Sequence, residues 1–269
     1  MSKTIIEQYR PLGKNTDFLA YRDEKGRIKQ LKNSKFGYFI TIRQLGYVPK
    51  TGILLSQFLE KIPFYRNSKI LDVGTGESAL LAIHSSFLGA EKVLAIDIDK
   101  NAIKWARKNV KRNKLSSKIK IIKKSVADCK LNFYPDIIIS NPSQMPVKQR
   151  KSLHDDGGKD GKYYIIKLIE LANKILKPGG RLIFTVFDFL GVEKSYNTKE
   201  SLLNILKKYS FNPKIAKTFN KEINKSSYTF KNLNHIKEIY PKYIFRRNKN
   251  GLYEHKIFII YAQKLTHNN

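Results

Sequence analysis

The stretch Lys69-Ile70-Leu71-Asp72-Val73-Gly74-Thr75-Gly76-Glu77-Ser78 decides the fold of this chain. Its apolar run reads as a buried strand over 69–73, and 79–88 reads as a helix, so both glycines fall directly between a strand and a helix. Glycine lets the backbone turn tightly and come close to a ligand, because no Cβ intervenes and positive φ is cheap. The helix beyond offers free N–H groups and the positive end of its dipole.

Outward from this loop the unit repeats. A second strand is expected over 92–97, then a helix over 101–113 with Ile103, Ala106 and Val110 on one face. Strands follow over 118–123 and 135–140, a helix over 163–175 that stops at Lys177-Pro178-Gly179-Gly180, and a fifth strand over 181–187. Alternation at these lengths requires a mainly parallel sheet with helices on both faces, a doubly wound α/β fold. Beyond Gly191 the pattern loosens into a helix over 201–209, a strand over 213–219 and a terminal strand over 255–263. Upstream, residues 1–50 read as a mixed lead-in with turns at Gly26-Arg27 and Ser34-Lys35 and one strand over 36–42. A short helix follows Pro49-Lys50-Thr51-Gly52. The expected division is an N-terminal extension, 1–52, covering substrate or cofactor, and a main domain, 53–269, carrying a basic and aromatic insertion at about 222–252.

Composition narrows the class. The chain has 269 residues, 41% hydrophobic and 12% aromatic, which is too much core material for a disordered protein. The single cysteine, Cys129, forms no internal disulfide, and no Cys/His cluster has zinc-ligand spacing, so no metal is expected. No apolar run approaches the ~20 residues of a membrane helix, and 1–7 lacks the apolar region of a signal peptide, so the expectation is a cytoplasmic protein with no membrane partner. The formal charge of +30 invites nucleic acid. Lys outnumbers Arg in a chain also rich in Ile and Asn, so A/T-driven codon usage explains the charge about as well.

Asp97 ends the second strand, one strand-helix unit beyond the glycines, where a carboxylate accepts both hydroxyls of a ribose. With Ala79 at the third glycine position, the dinucleotide fingerprint is incomplete. The acidic residue followed by glycine-x-glycine resembles the first motif of class I S-adenosylmethionine-dependent methyltransferases. That resemblance implies a Rossmann-like seven-stranded sheet and S-adenosyl-L-methionine as cofactor. Asp72, Gly74 and Gly76 would line its methionine end, Asp97 its ribose, and Ile98 its adenine, with Ser125 or Asp128 as a further polar contact.

The run Ile137-Ile138-Ile139-Ser140-Asn141-Pro142-Ser143-Gln144-Met145-Pro146 carries the second signal. Ligands of open α/β sheets bind at the carboxyl ends of the strands. There an Asn carbonyl and a neighbouring backbone carbonyl can hold an NH₂ group with its lone pair aimed at a sulfonium methyl, while Pro142 donates no competing N–H. The run is similar to the Asn-Pro-Pro-Tyr motif of methyltransferases acting on exocyclic amino or amide nitrogens, with Ser143 and Gln144 departing from it. By this resemblance Asn141 and Pro142 are catalytic, Asn141 also touches the cofactor, and Gln144 and Thr51 face the substrate.

Asp155-Asp156-Gly157-Gly158-Lys159-Asp160-Gly161 resembles the Gly-Gly-x-Asp-Gly loop of HemK/PrmC-type enzymes, and 49–52 resembles their proline-containing segment before the first motif. The implied activity is methyl transfer to a nitrogen, on a protein glutamine-type amide or a component of the translation apparatus. Adenine-N6 or guanine-N2 methylation of RNA or DNA is the first alternative, a small-molecule acceptor under a C-terminal lid the second, and a non-enzymatic module retaining the fold a further one. The insertion interleaves Lys225, Lys231, Lys237, Arg246 and Arg247 with Tyr228, Phe230, Tyr240 and Tyr243, a pattern that suits either a lid or an RNA contact. His154, His235 and His255 read as structural.

Overall fold

The computed structural model describes residues 5–43, 48–63, 65–127, 130–149 and 155–266. It divides into two units, Met1–Ser125 and Val126–Asn269.

The first unit begins with four short strands, β1 (Ile5–Gln8), β2 (Phe18–Arg22), β3 (Ile28–Asn33) and β4 (Phe39–Thr41), in an antiparallel sheet of that order. Side-chain-braced turns set it: Asp23 Oδ1 accepts the Lys25 and Arg27 amides, and Asn33 Oδ1 accepts the Phe36 amide. Phe18, Ala20, Leu31 and Ile40 are wholly buried on its inner face. Only the strand nearest β4 was expected from sequence. β1 and β3 hold two apolar residues each, and β2 is a short run, so their alternation becomes legible only once the partners are paired.

Helix α1 (Lys50–Leu59) leads into β5 (Lys69–Val73), α2 (Leu80–Phe87), β6 (Lys92–Asp97), α3 (Lys100–Arg112) and β7 (Ile119–Lys123). The three strands are parallel in the order β5-β6-β7. Helix α2 is buried almost all round, with Ser85 and Ser86 donating to the Leu81 and Ala82 carbonyls of their own helix, whereas α3 buries Ala102, Ile103, Ala106 and Val110 and turns its charges outward. Asp99 caps α3 by accepting the Asn101 amide.

The N-terminal sheet is pinned to these helices. Asn109 on α3 accepts the Thr41 amide and donates to the Thr41 and Glu77 carbonyls, and Asn113 accepts the Phe39 amide and donates to the Phe39 carbonyl. His84 on α2, fully buried, shares a 2.9 Å hydrogen bond with the Tyr38 hydroxyl. Burial pushes its imidazole down to about 3, so it is neutral at pH 7.

In the second unit, β8 (Ile137–Ser140), α4 (Tyr163–Ile175), β9 (Arg181–Phe187), α5 (Leu202–Lys208), β10 (Phe211–Glu222), α6 (Tyr228–Lys231), α7 (Leu233–Ile239), β11 (Arg246–Arg247) and β12 (Tyr253–Lys264) follow. The order is β10-β12-β9-β8, with β8 and β9 parallel, β10 and β12 antiparallel to their neighbours, and the two-residue β11 beside β12. The insertion therefore holds α6, α7 and β11.

Candidate active site

The glycine loop lies wholly in the first unit. Val73 ends β5, and Gly74 and Gly76 adopt φ of +73° and +62°. The Gly74 and Thr75 amides both donate to the Ile96 carbonyl at 2.9 and 3.1 Å, which holds the loop against the end of β6. The Gly76 amide donates to Asp97 Oδ2 at 2.8 Å, and the Asp99 amide to Asp97 Oδ1 at 2.9 Å. Both carboxylate oxygens are thereby oriented, and each keeps a lone pair. A Cβ added at Gly74 or Gly76 would meet nothing within 4 Å, so the loop faces open space.

Asp72 is wholly buried beneath this loop. Thr75 donates a 2.6 Å hydrogen bond to Oδ2, whereas Oδ1 has no hydrogen-bond partner. Burial pushes the carboxyl up to about 7, the charge of Asp97 adds to the rise, and the Thr75 hydroxyl opposes it. A buried carboxylate with one oxygen unengaged suits a cationic group. Beside Asp97, Ile98 is an apolar side chain left 42% exposed. Ser125 is half-buried after β7, and Thr51 is half-buried in the first turn of α1; Asp128 lies outside the described residues.

The Asn-Pro loop lies wholly in the second unit. Asn141 follows β8, and the wholly buried Thr185 of β9 donates a 2.6 Å hydrogen bond to Asn141 Oδ1. Gln144 is buried, with its amide turned into the protein: Oε1 accepts the Phe187 amide at 2.6 Å, and Nε2 donates to the Thr185 and Pro142 carbonyls at 3.3 Å. It ties the loop to the end of β9. Sequence gave no place to Thr185, although a single hydroxyl inside Leu182-Ile183-Phe184-Thr185-Val186 is the signal that marks it.

The glycine-rich run 155–162 packs against this loop. The Met145 amide donates to the Asp155 carbonyl, and the Gly157 amide to the Met145 carbonyl. A Cβ on Gly157 would lie 2.5 Å from Gln144 Cα, and one on Gly161 2.5 Å from the Gln144 carbonyl oxygen. The insertion closes over the same run. Tyr228 donates to Asp156, Tyr240 to the Asp160 carbonyl, Tyr243 to Asp188, and His235 Nε2 lies 3.0 Å from the Lys159 carbonyl. The tyrosines are held inward, and burial raises all three hydroxyls. His255 is buried at 2% exposure, and burial lowers its imidazole to about 3. His154 and Cys129 lie outside the described residues. Among the described residues no group of three or more His, Cys, Asp or Glu could hold a metal, and no helix is long and apolar enough to cross a membrane.

The fold is the α/β fold of methyltransferases, with a mainly parallel sheet. A solved structure from Pyrococcus horikoshii, described as a candidate RNA methyltransferase, shares it at a TM-score of 0.51 and 16% identity, over 83% of this chain and 88% of that one. The family model for ribosomal protein L11 methyltransferase matches residues 50–148. The release factor glutamine methyltransferase of Flavobacterium psychrophilum is 30% identical over 164 residues, 56% of this chain and 54% of its own length. The ribosomal protein L11 methyltransferase of Carboxydothermus hydrogenoformans is 40% identical over 101 residues, 37% of this chain and 32% of its own. The chain thus spans about half or less of the length of these curated relatives.

Proposed function

We propose that the chain is an S-adenosylmethionine-dependent methyltransferase that acts on a nitrogen, with a HemK-like core and a protein amide or another component of the translation apparatus as acceptor. The observation that carries it is Asp72, a buried carboxylate with an unengaged oxygen under a glycine loop that opens into free space, one strand from Asp97. These groups fit the cofactor. The unengaged Asp72 oxygen suits its ammonium, Asp97 its ribose hydroxyls, and Ile98 the face of its adenine. The names of the relatives, acting on a release factor glutamine or on a ribosomal protein, support the acceptor class.

When bound, the cofactor supplies an electrophilic methyl on a sulfonium. The chain's own part is alignment: the Asn141 and Pro142 carbonyls hold an NH₂ group, Thr185 sets the Asn141 amide, and Gln144 holds the loop to β9. Catalysis then needs no strong base, because the acceptor is neutral, a thioether leaves, and the methylated nitrogen, cationic after transfer, releases one N–H proton to solvent.

Calorimetry with S-adenosylhomocysteine tests the cofactor, with binding expected for the wild type and lost in Asp97→Ala. Incubating the protein with labelled cofactor and a cell lysate, then digesting with protease or ribonuclease, tests the acceptor. Label released by protease is expected, and label released by ribonuclease alone, or surviving both, would overturn the protein acceptor. Asn141→Ala is expected to bind cofactor and lose transfer.

A further inference from the structure

The charge concentrates where the sequence pattern alone did not place it. Between Lys100 and Ala127 there are eleven Lys and Arg and no Asp or Glu. On α3, Lys100, Lys104, Lys108 and Lys111 are exposed along one side, with steps of four residues rising about 6 Å. Lys114 and Lys118 continue the exposed set through the turn, and Lys120 and Lys123 are exposed on opposite faces of the edge strand β7. None of these cations joins an ion pair among the described residues, whereas exposed cations elsewhere do: Lys35 with Glu60, Lys199 with Asp160, Lys208 with Glu200.

Aromatic rings lie in the same unit beside these charges. Lys108 Nζ sits 4.3 Å from the centroid of the half-buried Trp105 ring. Across the Asn113–Phe39 hydrogen bonds, the half-buried Phe39 carries Arg112 at 5.2 Å and Lys32 at 5.4 Å. The insertion, by contrast, turns its tyrosine hydroxyls inward to Asp156, Asp160 and Asp188.

We infer that the exposed side of α3 and the turn that follows it, continued onto β4, is a docking surface for RNA, separate from the glycine loop. A row of unpaired ammonium groups neutralises a phosphate backbone with release of its counterions, and the neighbouring rings offer sequence-tolerant stacking. An anionic bilayer is disfavoured as occupant, because the apolar side of α3 is buried in the unit and not free to enter lipid. The inference rests on the placement of these charges and rings and stands apart from the acceptor proposed above.

Fluorescence anisotropy with a labelled oligouridylate, titrated between about 50 and 200 mM KCl, tests it on the full chain. Lys104→Glu/Lys108→Glu/Lys111→Glu is expected to weaken binding at least about tenfold and to flatten the plot of log K against log salt by about 2, three contacts at ~0.7 each. Lys174→Glu/Lys177→Glu/Lys207→Glu makes the same change in net charge on the other unit and is expected to stay within about twofold of wild type. Circular dichroism checks the fold, and glutamine versions of the first triple replace it if it unfolds. Equal loss in both triples overturns the inference, as does a wild type that fails to bind at about 150 mM salt. Displacement of the RNA by polyglutamate at equal charge concentration would assign the face to an acidic protein instead. Tighter binding to phosphatidylserine vesicles than to RNA would assign it to a membrane.

Discussion

The Thr185 hydroxyl donates a 2.6 Å hydrogen bond to Oδ1 of Asn141, from a wholly buried position in β9 to the loop that follows β8. It orients the Asn141 amide from behind while leaving the oxygen a second lone pair for a ligand.

Thr185→Val keeps the shape and removes the donor. The expected cost is about 1 kcal/mol in stability, read by urea denaturation. Transfer is expected to fall by roughly ten- to a hundredfold with S-adenosylhomocysteine affinity unchanged, since alignment and not binding is lost. Thr185→Ser keeps the hydroxyl and should restore most of the rate.

In the proposed site, Asp72 would tie cofactor affinity to pH. Its carboxyl titrates near 7 in the folded chain, and only the ionised form attracts an ammonium group, so S-adenosylhomocysteine affinity should fall as pH drops through 7. Stability runs the other way. A carboxyl raised from its ordinary 3.8 contributes stability below about 4 that is lost as pH rises through 7. Asp72→Asn should therefore stabilise the fold more at pH 8 than at pH 5, by on the order of 2 kcal/mol, while losing both cofactor affinity and its pH dependence. Scanning calorimetry and titration at the two pH values check both signs.

His84 joins the N-terminal sheet to α2 as a neutral ring. Its imidazole titrates near 3 in the folded chain and near 6.5 unfolded, so its contribution to stability is present above 6.5 and is lost as pH falls towards 3. His255, also buried and lowered to about 3, adds to the same acid loss. Tyr38→Phe leaves the His84 Nδ1 unpaired in the core and should cost about 1–2 kcal/mol at pH 7. Thermal melts across pH 4–8 measure each effect.

Gly157→Ala and Gly161→Ala place a methyl 2.5 Å from Gln144 backbone atoms, so the 141–147 loop must shift. Each should destabilise by about 2–3 kcal/mol and depress transfer. Gly26→Ala is the control: its Cβ meets nothing within 4 Å, and only the positive φ of +72° is strained, at about 1 kcal/mol. Denaturation midpoints with equal losses in all three would remove packing against Gln144 as the cause.

The sequence by itself determined the alternating elements from Lys69 to Phe187, because period, glycine and proline act within a few residues of one another. Helix 163–175 and strand 181–187 were legible to the residue, since apolar periodicity and the Lys177-Pro178-Gly179-Gly180 stop are local signals. The glycine turn after β5, Asp97 at the end of β6 and Asn141 just past β8 were legible as positions for the same reason. Only the tertiary structure decided that Thr185 holds Asn141 across 44 positions of chain, and that Gln144 turns inward to Phe187. It also decided that Tyr228 and Tyr240 bind the 155–162 run, and that the unpaired cations gather on α3 and β7. Such contacts depend on which strands become neighbours and which faces are buried, and residue spacing along the chain carries neither.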